Sequence, residues 1–255
     1  MKRVSLILGI ALVSVFASCS LDDDFEMTDT DASKMSVNAL LVRSIATISE
    51  RDGTMITDDY QYNGSKLLKI NSSDGREIVY TYAGDLIIRK DFFQDNILNS
   101  KEIFEYNRQY QLIKYKRQNA SGVTTYNAIY TNNTDGTVSV KGYSGGTTNQ
   151  SSQILDRKVF TSGIRVNKVE NYTTQNGSPA TQVFNYSYDT KNSPFKNITG
   201  FDKLAYYDIT VNSNYYNVQS VTRGTTEVES VQYTYNGENY PSSANKGSLS
   251  FLYTY

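Results

Sequence analysis

What most constrains the fold is a pair of aromatic residues that returns along the whole chain. Tyr60/Tyr62, Tyr80/Tyr82, Phe104/Tyr106, Phe184/Tyr186 and Tyr233/Tyr235 each flank one intervening residue, with degenerate copies at Tyr130 and Phe160. Successive starts lie 20, 24, 26, 30, 24 and 49 residues apart; the last gap holds two units, with Ile209/Val211 in the missing register. Spacing of two puts both rings on one face of a strand, and a recurrence of this length makes one unit one hairpin. Seven or eight units predict roughly fourteen to eighteen antiparallel strands.

Turn signals sit between the runs: Asn63-Gly64, Asp74-Gly75, Ala83-Gly84, Ser121-Gly122, Asp135-Gly136, Ser162-Gly163, Asn176-Gly177 and Asn236-Gly237. Such pairs supply the positive φ that short hairpin loops require. Glu77 to Tyr82 alternates so that Ile78, Tyr80 and Tyr82 share a face, and Leu86, Ile88 and Phe92 are expected to do the same on the next strand. Helical periodicity is confined to the leader and to a short turn expected at Gly200-Phe201-Asp202-Lys203-Leu204. Residues 37–48, rich in Ser, Thr and Val, read as the first strand. The fold class expected is all-β: an up-and-down antiparallel meander of repeated hairpins, curled into a soluble barrel or half-barrel.

The leader supplies an address. Lys2 and Arg3 precede an apolar stretch from Leu6 to Ala17, of signal-peptide length and too short for a transmembrane span. Phe16-Ala17-Ser18-Cys19 then resembles a bacterial lipobox and contains the single cysteine of the chain. That resemblance implies lipidation of the Cys19 thiol and cleavage before it. Two or more acyl chains anchor stably, at about 0.8 kcal/mol per buried methylene. Loss of Lys2 and Arg3 leaves 23 basic against 26 acidic residues, a formal charge of −3.

Ser20, Asp22, Asp23, Asp24, Phe25 and Glu26 follow the cysteine and look like the acidic export signal of surface lipoproteins of Bacteroidota. The same run also suits a solvated tether. The expected organisation is a signal peptide over 1–18, a lipidated acidic tether over 19–36 and an all-β hairpin-repeat domain over 37–255. The expected location is the outer membrane, lipid-anchored and exposed at the cell surface.

Two family resemblances bear on the body. Tyr62-Asn63-Gly64-Ser65-Lys66-Leu67-Leu68-Lys69-Ile70 and Tyr186-Ser187-Tyr188-Asp189 distantly resemble YD/RHS-type hairpin repeats. A closer likeness rests on three segments in one order: Asn192-Ser193-Pro194-Phe195-Lys196-Asn197-Ile198, then Asn214-Tyr215-Tyr216-Asn217-Val218, then Tyr233-Thr234-Tyr235-Asn236 with Asn239-Tyr240-Pro241. That order resembles Bacteroidota lipoproteins of a domain-of-unknown-function family with a porin-like fold. The resemblance implies a meander curling into a barrel and implies no activity.

A barrel spanning a membrane needs an apolar outer band on every strand. Here Glu77 lies beside Ile78, Lys90 in line with Leu86 and Ile88, Lys114, Lys116 and Arg117 on one strand, and Arg165, Lys168 and Glu170 on another. The sheet is therefore expected in water, with one Tyr-rich, partly wet face.

Composition narrows the chemistry. With no His, catalysis by Ser-His-Asp or Cys-His and His-ligated metal sites have no ligands to use. A lone Cys leaves no intrachain disulfide, thiolate zinc site or iron–sulfur cluster. A net charge of −1 offers no pull on nucleic acid, and Lys114-Tyr115-Lys116-Arg117 is better explained as a solvated strand face. The Gly142 to Thr148 stretch has no Lys after it and fits a flexible hairpin loop, not a phosphate loop. No cofactor and no metal are expected.

Paired carboxylates are the remaining catalytic apparatus, with Asp58-Asp59 and Glu227/Glu229 as candidates. Adjacent strand residues face opposite ways, so Asp58 and Asp59 do not converge; Glu227 and Glu229 should share a face. The leading expectation is a non-enzymatic binding or structural module. Its alternatives are glycan or peptide capture on a Tyr-rich face, drawn from 22 Tyr beside 10 Phe and no Trp, and a carboxylate-dependent hydrolase.

Overall fold

The computed structural model describes residues 40–163, 165–175, 177–204 and 216–255. Cys19 and the export-signal residues Ser20, Asp22, Asp23, Asp24, Phe25 and Glu26 lie outside them, as do Ile209 and Val211.

Among the described residues seventeen strands follow one another: β1 (Ser44–Ser49), β2 (Met55–Asn63), β3 (Lys66–Ser72), β4 (Arg76–Ala83), β5 (Leu86–Gln94), β6 (Ile97–Tyr106), β7 (Leu112–Asn119), β8 (Thr124–Asn132), β9 (Val138–Ser144), β10 (Gln153–Ser162), β11 (Arg165–Gln175), β12 (Ser178–Tyr188), β13 (Val218–Arg223), β14 (Thr226–Ser230), β15 (Gln232–Tyr235), β16 (Pro241–Lys246) and β17 (Leu249–Thr254). Each pairs antiparallel with its chain neighbour, and β1 pairs with both β2 and β17. Only Val231 separates β14 from β15; the former pairs with β13, the latter with β16, and Val231 N–H donates to Gln219 O at 2.8 Å. The two are halves of one stave. The result is a nearly closed barrel of sixteen staves, the even number that an all-antiparallel ring demands.

The two ends of the barrel differ. The turns after β2, β4, β6, β8, β10, β12 and β15 lie at one end, where the aromatic pairs finish their strands; this is the tyrosine end. Two-residue loops such as Gly64-Ser65 and Gly84-Asp85 turn there with the Gly at positive φ, while Asn63 and Ala83 remain in their strands. A second loop type opens with Asn107, Asn119, Asn133 or Asn236, whose N–H donates to the carbonyl four residues on. In the last of these the positive φ falls on Asn239 and not on Gly237, so Asn236-Gly237 is not the turn pair expected. Four-residue loops of this kind place their left-handed residue late.

Aromatic pairs face the interior, as their spacing predicts. Tyr80, Phe104 and Tyr130 are buried, with Tyr60, Tyr62, Tyr82, Tyr106, Phe184 and Tyr186 packed against the same core. The outermost hydroxyls bond to the neighbouring strand: Tyr62 to Val42 O at 2.7 Å, Tyr106 to Ile87 O at 2.7 Å, Tyr188 to Val166 O at 2.8 Å and Tyr255 to Pro241 O at 3.0 Å. The tyrosine-rich face is thus the interior face of the sheet. Phe160 is not a copy of the motif: it lies opposite Lys168 on the outer wall, and Val159 takes the inner position.

A bulge recurs just past the tyrosine end. Tyr62 opposes Leu67 but Gln61 opposes Lys69, leaving Leu68 unpaired; Ile88, Ile113, Asn167, Gln219 and Ser242 are left over in the same way. An extra residue makes two inward side chains three apart instead of two. Leu67/Ile70, Ile87/Lys90, Leu112/Tyr115, Val166/Val169, Val218/Val221 and Pro241/Ala244 are all buried. The expectation for Leu86, Ile88 and Phe92 fails for this reason: Ile87 enters the core, Ile88 is the bulged residue, and Phe92 lies across from Ile78 inside. Lys90 is likewise inside and says nothing about the outer wall.

The outer wall carries its charges in pairs: Lys69 with Glu77, Arg89 with Asp91 at 2.8 Å, Lys116 with Glu105 at 2.8 Å and Lys168 with Glu170 at 2.8 Å. Lys114 and Lys116 are on that wall, while Tyr115 between them is fully buried. Gly142 to Ser144 end β9 and are not loop. Gly142 is required there, since a Cβ would fall 2.2 Å from the Tyr126 hydroxyl and 2.9 Å from Leu155 Cβ.

Candidate functional site

Among the described residues, the β12–β13 connection is the longest at the tyrosine end, and its part up to residue 204 enters the barrel. Phe195 lies 6.3 Å from Tyr60 and 5.9 Å from Phe201, which stacks on Tyr80 at 6.1 Å. The short 3-10 turn expected near Gly200 is Phe201–Leu204, with Phe201 and Leu204 buried. Gly200 sits at φ +81° against the β4–β5 turn, where a Cβ would come within 2.7 Å of Asp85 O. Thr199 N–H donates to Ser65 O at 3.0 Å, and Asn197 Nδ2 donates to Leu40 O at 2.8 Å. This segment is a plug. Its residues Asn192 to Ile198 belong to no hairpin, so they are not a member of the repeat.

Above the plug, toward the other end, the interior is open. Two adjoining cavities of about 440 and 260 Å³ share Asp58, Tyr60 and Phe195. Phe195 and Phe201 form the floor of the larger, which reaches the mouth at Arg76, Gln94 and Asn99. Around that mouth Met55, Ile97, Val123, Ile154, Val228 and Leu249 are exposed, making an apolar collar at the starts of the strands.

The cup wall is charged where the barrel repeat is otherwise apolar. Lys90 occupies the position filled by Ile70, Tyr115, Val169, Val221 and Ala244 in the other bulged strands. Its ammonium is 3.8 Å from Glu102, 5.8 Å from the centre of the Tyr80 ring and 5.4 Å from that of Phe104. Glu102 also accepts from the Tyr115 hydroxyl at 2.8 Å and lies 3.7 Å from Arg117. Asp58 accepts from the Ser72 hydroxyl. In the smaller cavity Lys246 pairs with Glu229 at 2.9 Å. Burial, then the neighbouring Tyr82 and Glu102, pushes the Tyr80 hydroxyl far above its ordinary pKa, so it stays protonated inside the cup.

Of the carboxylates singled out from sequence, Asp58 faces the cup and Asp59 the outside, as adjacency dictates. Glu227 and Glu229 do not share a face. A bulge at Val228 sets Glu227 opposite Thr222 on the outer wall and Glu229 opposite Val221 inside. Sequence reasoning missed Lys90 and Glu102. Their signal was there: Lys90 stands three residues after Ile87, at a spacing that is apolar in every sibling hairpin. Among the described residues, no three carboxylate, thiol or imidazole groups stand close enough to share a metal ion. Nor is any helix among them long and apolar enough to cross a membrane.

No protein-family model and no curated protein matches the sequence. Solved structures do match the fold. A porin-like protein from Bacteroides uniformis superposes over 83% of this chain and 95% of its own, with a TM-score of 0.51 and 11% identity. A porin-like protein from Bacteroides vulgatus covers 85% and 99%, with a TM-score of 0.46 and 13% identity. At such identity the first of these likenesses carries the fold alone: this chain shares its fold with a porin-like protein from Bacteroides uniformis.

Proposed function

We propose that this chain is a surface-anchored outer-membrane lipoprotein, non-enzymatic, that binds a ligand in the open cup of a plugged barrel. The observation that supports it most is the division of charge and plug. A barrel that conducts through a bilayer shows lipid an apolar wall and keeps a wet lumen. Here paired charges line the outer wall, and the core side chains and plug fill the tyrosine end of the lumen. Attachment to the membrane then falls to Cys19 and its acyl chains. The acidic run from Asp22 to Glu26 directs display on the outer face, and the cup takes a glycan or a peptide.

Metabolic labelling with a palmitate analogue tests the anchor. The native chain should be labelled and the Cys19→Ala variant should not. Replacing Asp22, Asp23, Asp24 and Glu26 with Ala should keep the label but remove access to protease added to intact cells. Label on Cys19→Ala overturns the anchor, and unchanged protease access reduces the acidic run to a tether.

A further inference from the structure

Among the described residues, the cup carboxylates Glu102 and Glu229 stand in ion pairs and Asp58 does not. Lys90 stands with Glu102, and Lys246 is paired with Glu229 at 2.9 Å. Asp58 sits at the junction of the two cavities, and its hydrogen bond comes from the neutral hydroxyl of Ser72. Rings of Tyr60 and Phe195 line the cup beside it, and Tyr80 and Phe201 continue the lining. A carboxylate within an aromatic lining is the arrangement that selects an organic cation: the carboxylate supplies the charge and the ring faces take the alkyl or ring body.

We propose that the cup binds a ligand through an ammonium group, held by Asp58 and flanked by Tyr60 and Phe195. The inference rests on the cup being the ligand site and adds the chemistry that it selects. Lys90 supports this role. It pairs with Glu102 on the far wall of the larger cavity, which leaves Asp58 as the carboxylate that a bound cation meets. Two small carriers of a free ammonium group are the side chain of a lysine in a peptide and the amine of a glucosamine sugar, against cavities of about 440 and 260 Å³.

Isothermal titration of the full-length chain separates them. The probes are a capped tripeptide with a central lysine, the same peptide with that lysine acetylated, the glucosamine disaccharide, and its N-acetylated form. One of the charged probes should bind at least tenfold more tightly than its neutral counterpart, and which one it is names the source. Asp58→Asn keeps the shape and an acceptor for Ser72, and should weaken the charged probe tenfold or more. Glu227→Gln, on the outer wall, should change nothing. The comparison of charged with neutral probes needs no variant, so it decides even if Asp58→Asn misfolds. Equal binding of charged and neutral probes upholds the cup as a ligand site and overturns the ammonium. Affinity unchanged within twofold in a folded Asp58→Asn overturns it as well, and so does the absence of binding by either charged probe.

Discussion

Asp189 accepts from both the main-chain N–H and the side-chain Nδ2 of Asn217, at 3.0 and 2.9 Å. These two residues begin and end the connection that forms the plug, so one buried carboxylate clasps its base. Lys191 N–H at 3.1 Å and the Tyr235 hydroxyl complete the shell around it. Removing the acceptor strands several buried donors at once, each worth about 1–3 kcal/mol. Asp189→Ala should therefore lower stability by about 3 kcal/mol or more, visible as a fall in melting temperature. Loss of near-ultraviolet tyrosine dichroism should accompany it if the plug leaves Tyr60 and Tyr80, and Asp189→Asn should recover part of both.

The bulge in β5 separates two adjacent isoleucines. Ile87 is fully buried and Ile88 is the extra residue on the outer side. Ile87→Ala should cost about 2–5 kcal/mol and Ile88→Ala less than about 1 kcal/mol. Equal losses in denaturant melts would contradict the register.

Gly142 leaves room for the Tyr126 ring. Gly142→Ala should destabilise by about 1–3 kcal/mol through overpacking. Tyr126→Phe removes the hydroxyl that a Cβ would meet first, so the double variant should lose less than the sum of the singles. Strict additivity would sink this account of the glycine.

Alkali should unfold the barrel through its tyrosines. Burial pushes Tyr253 up to about 12, and burial raises Tyr60, Tyr80 and Tyr130 as well. The unfolded chain releases these protons near pH 10 and the folded chain does not. It then holds fewer protons than the folded state, so stability is full below about pH 10 and falls as pH rises from there through about 12. Tyrosinate absorbance and β dichroism should change together in that window. Ionisation of the buried rings well before the dichroism is lost would contradict their burial.

The legible part of this fold was the hairpin. Ile78, Tyr80 and Tyr82 alternate within one strand, and a period of two needs no knowledge of the neighbour. The bulges were not legible, because one unpaired residue changes faces without changing composition; Leu86/Ile88 and Glu227/Glu229 were misplaced by that single step. The plug was half legible. The turn at Phe201–Leu204 showed in the sequence, but Phe195 reaches Tyr60 from 135 positions away, and only the closing of the ring brings them together. Of the cup, Asp58 was singled out only as one of two adjacent carboxylates on opposite faces. Lys90 was masked by the bulge before it, although the apolar residues at its sibling positions mark it as the exception.

Under the function proposed above, this barrel stands in water and is held to the membrane by lipid at Cys19 alone. Residues 20–255, produced without the leader and the cysteine, test it directly by size-exclusion chromatography in detergent-free buffer with far-ultraviolet dichroism of the eluted peak. The account predicts a dispersed species with a β-rich spectrum. A chain that folds only in detergent or that partitions into protein-free vesicles would contradict it.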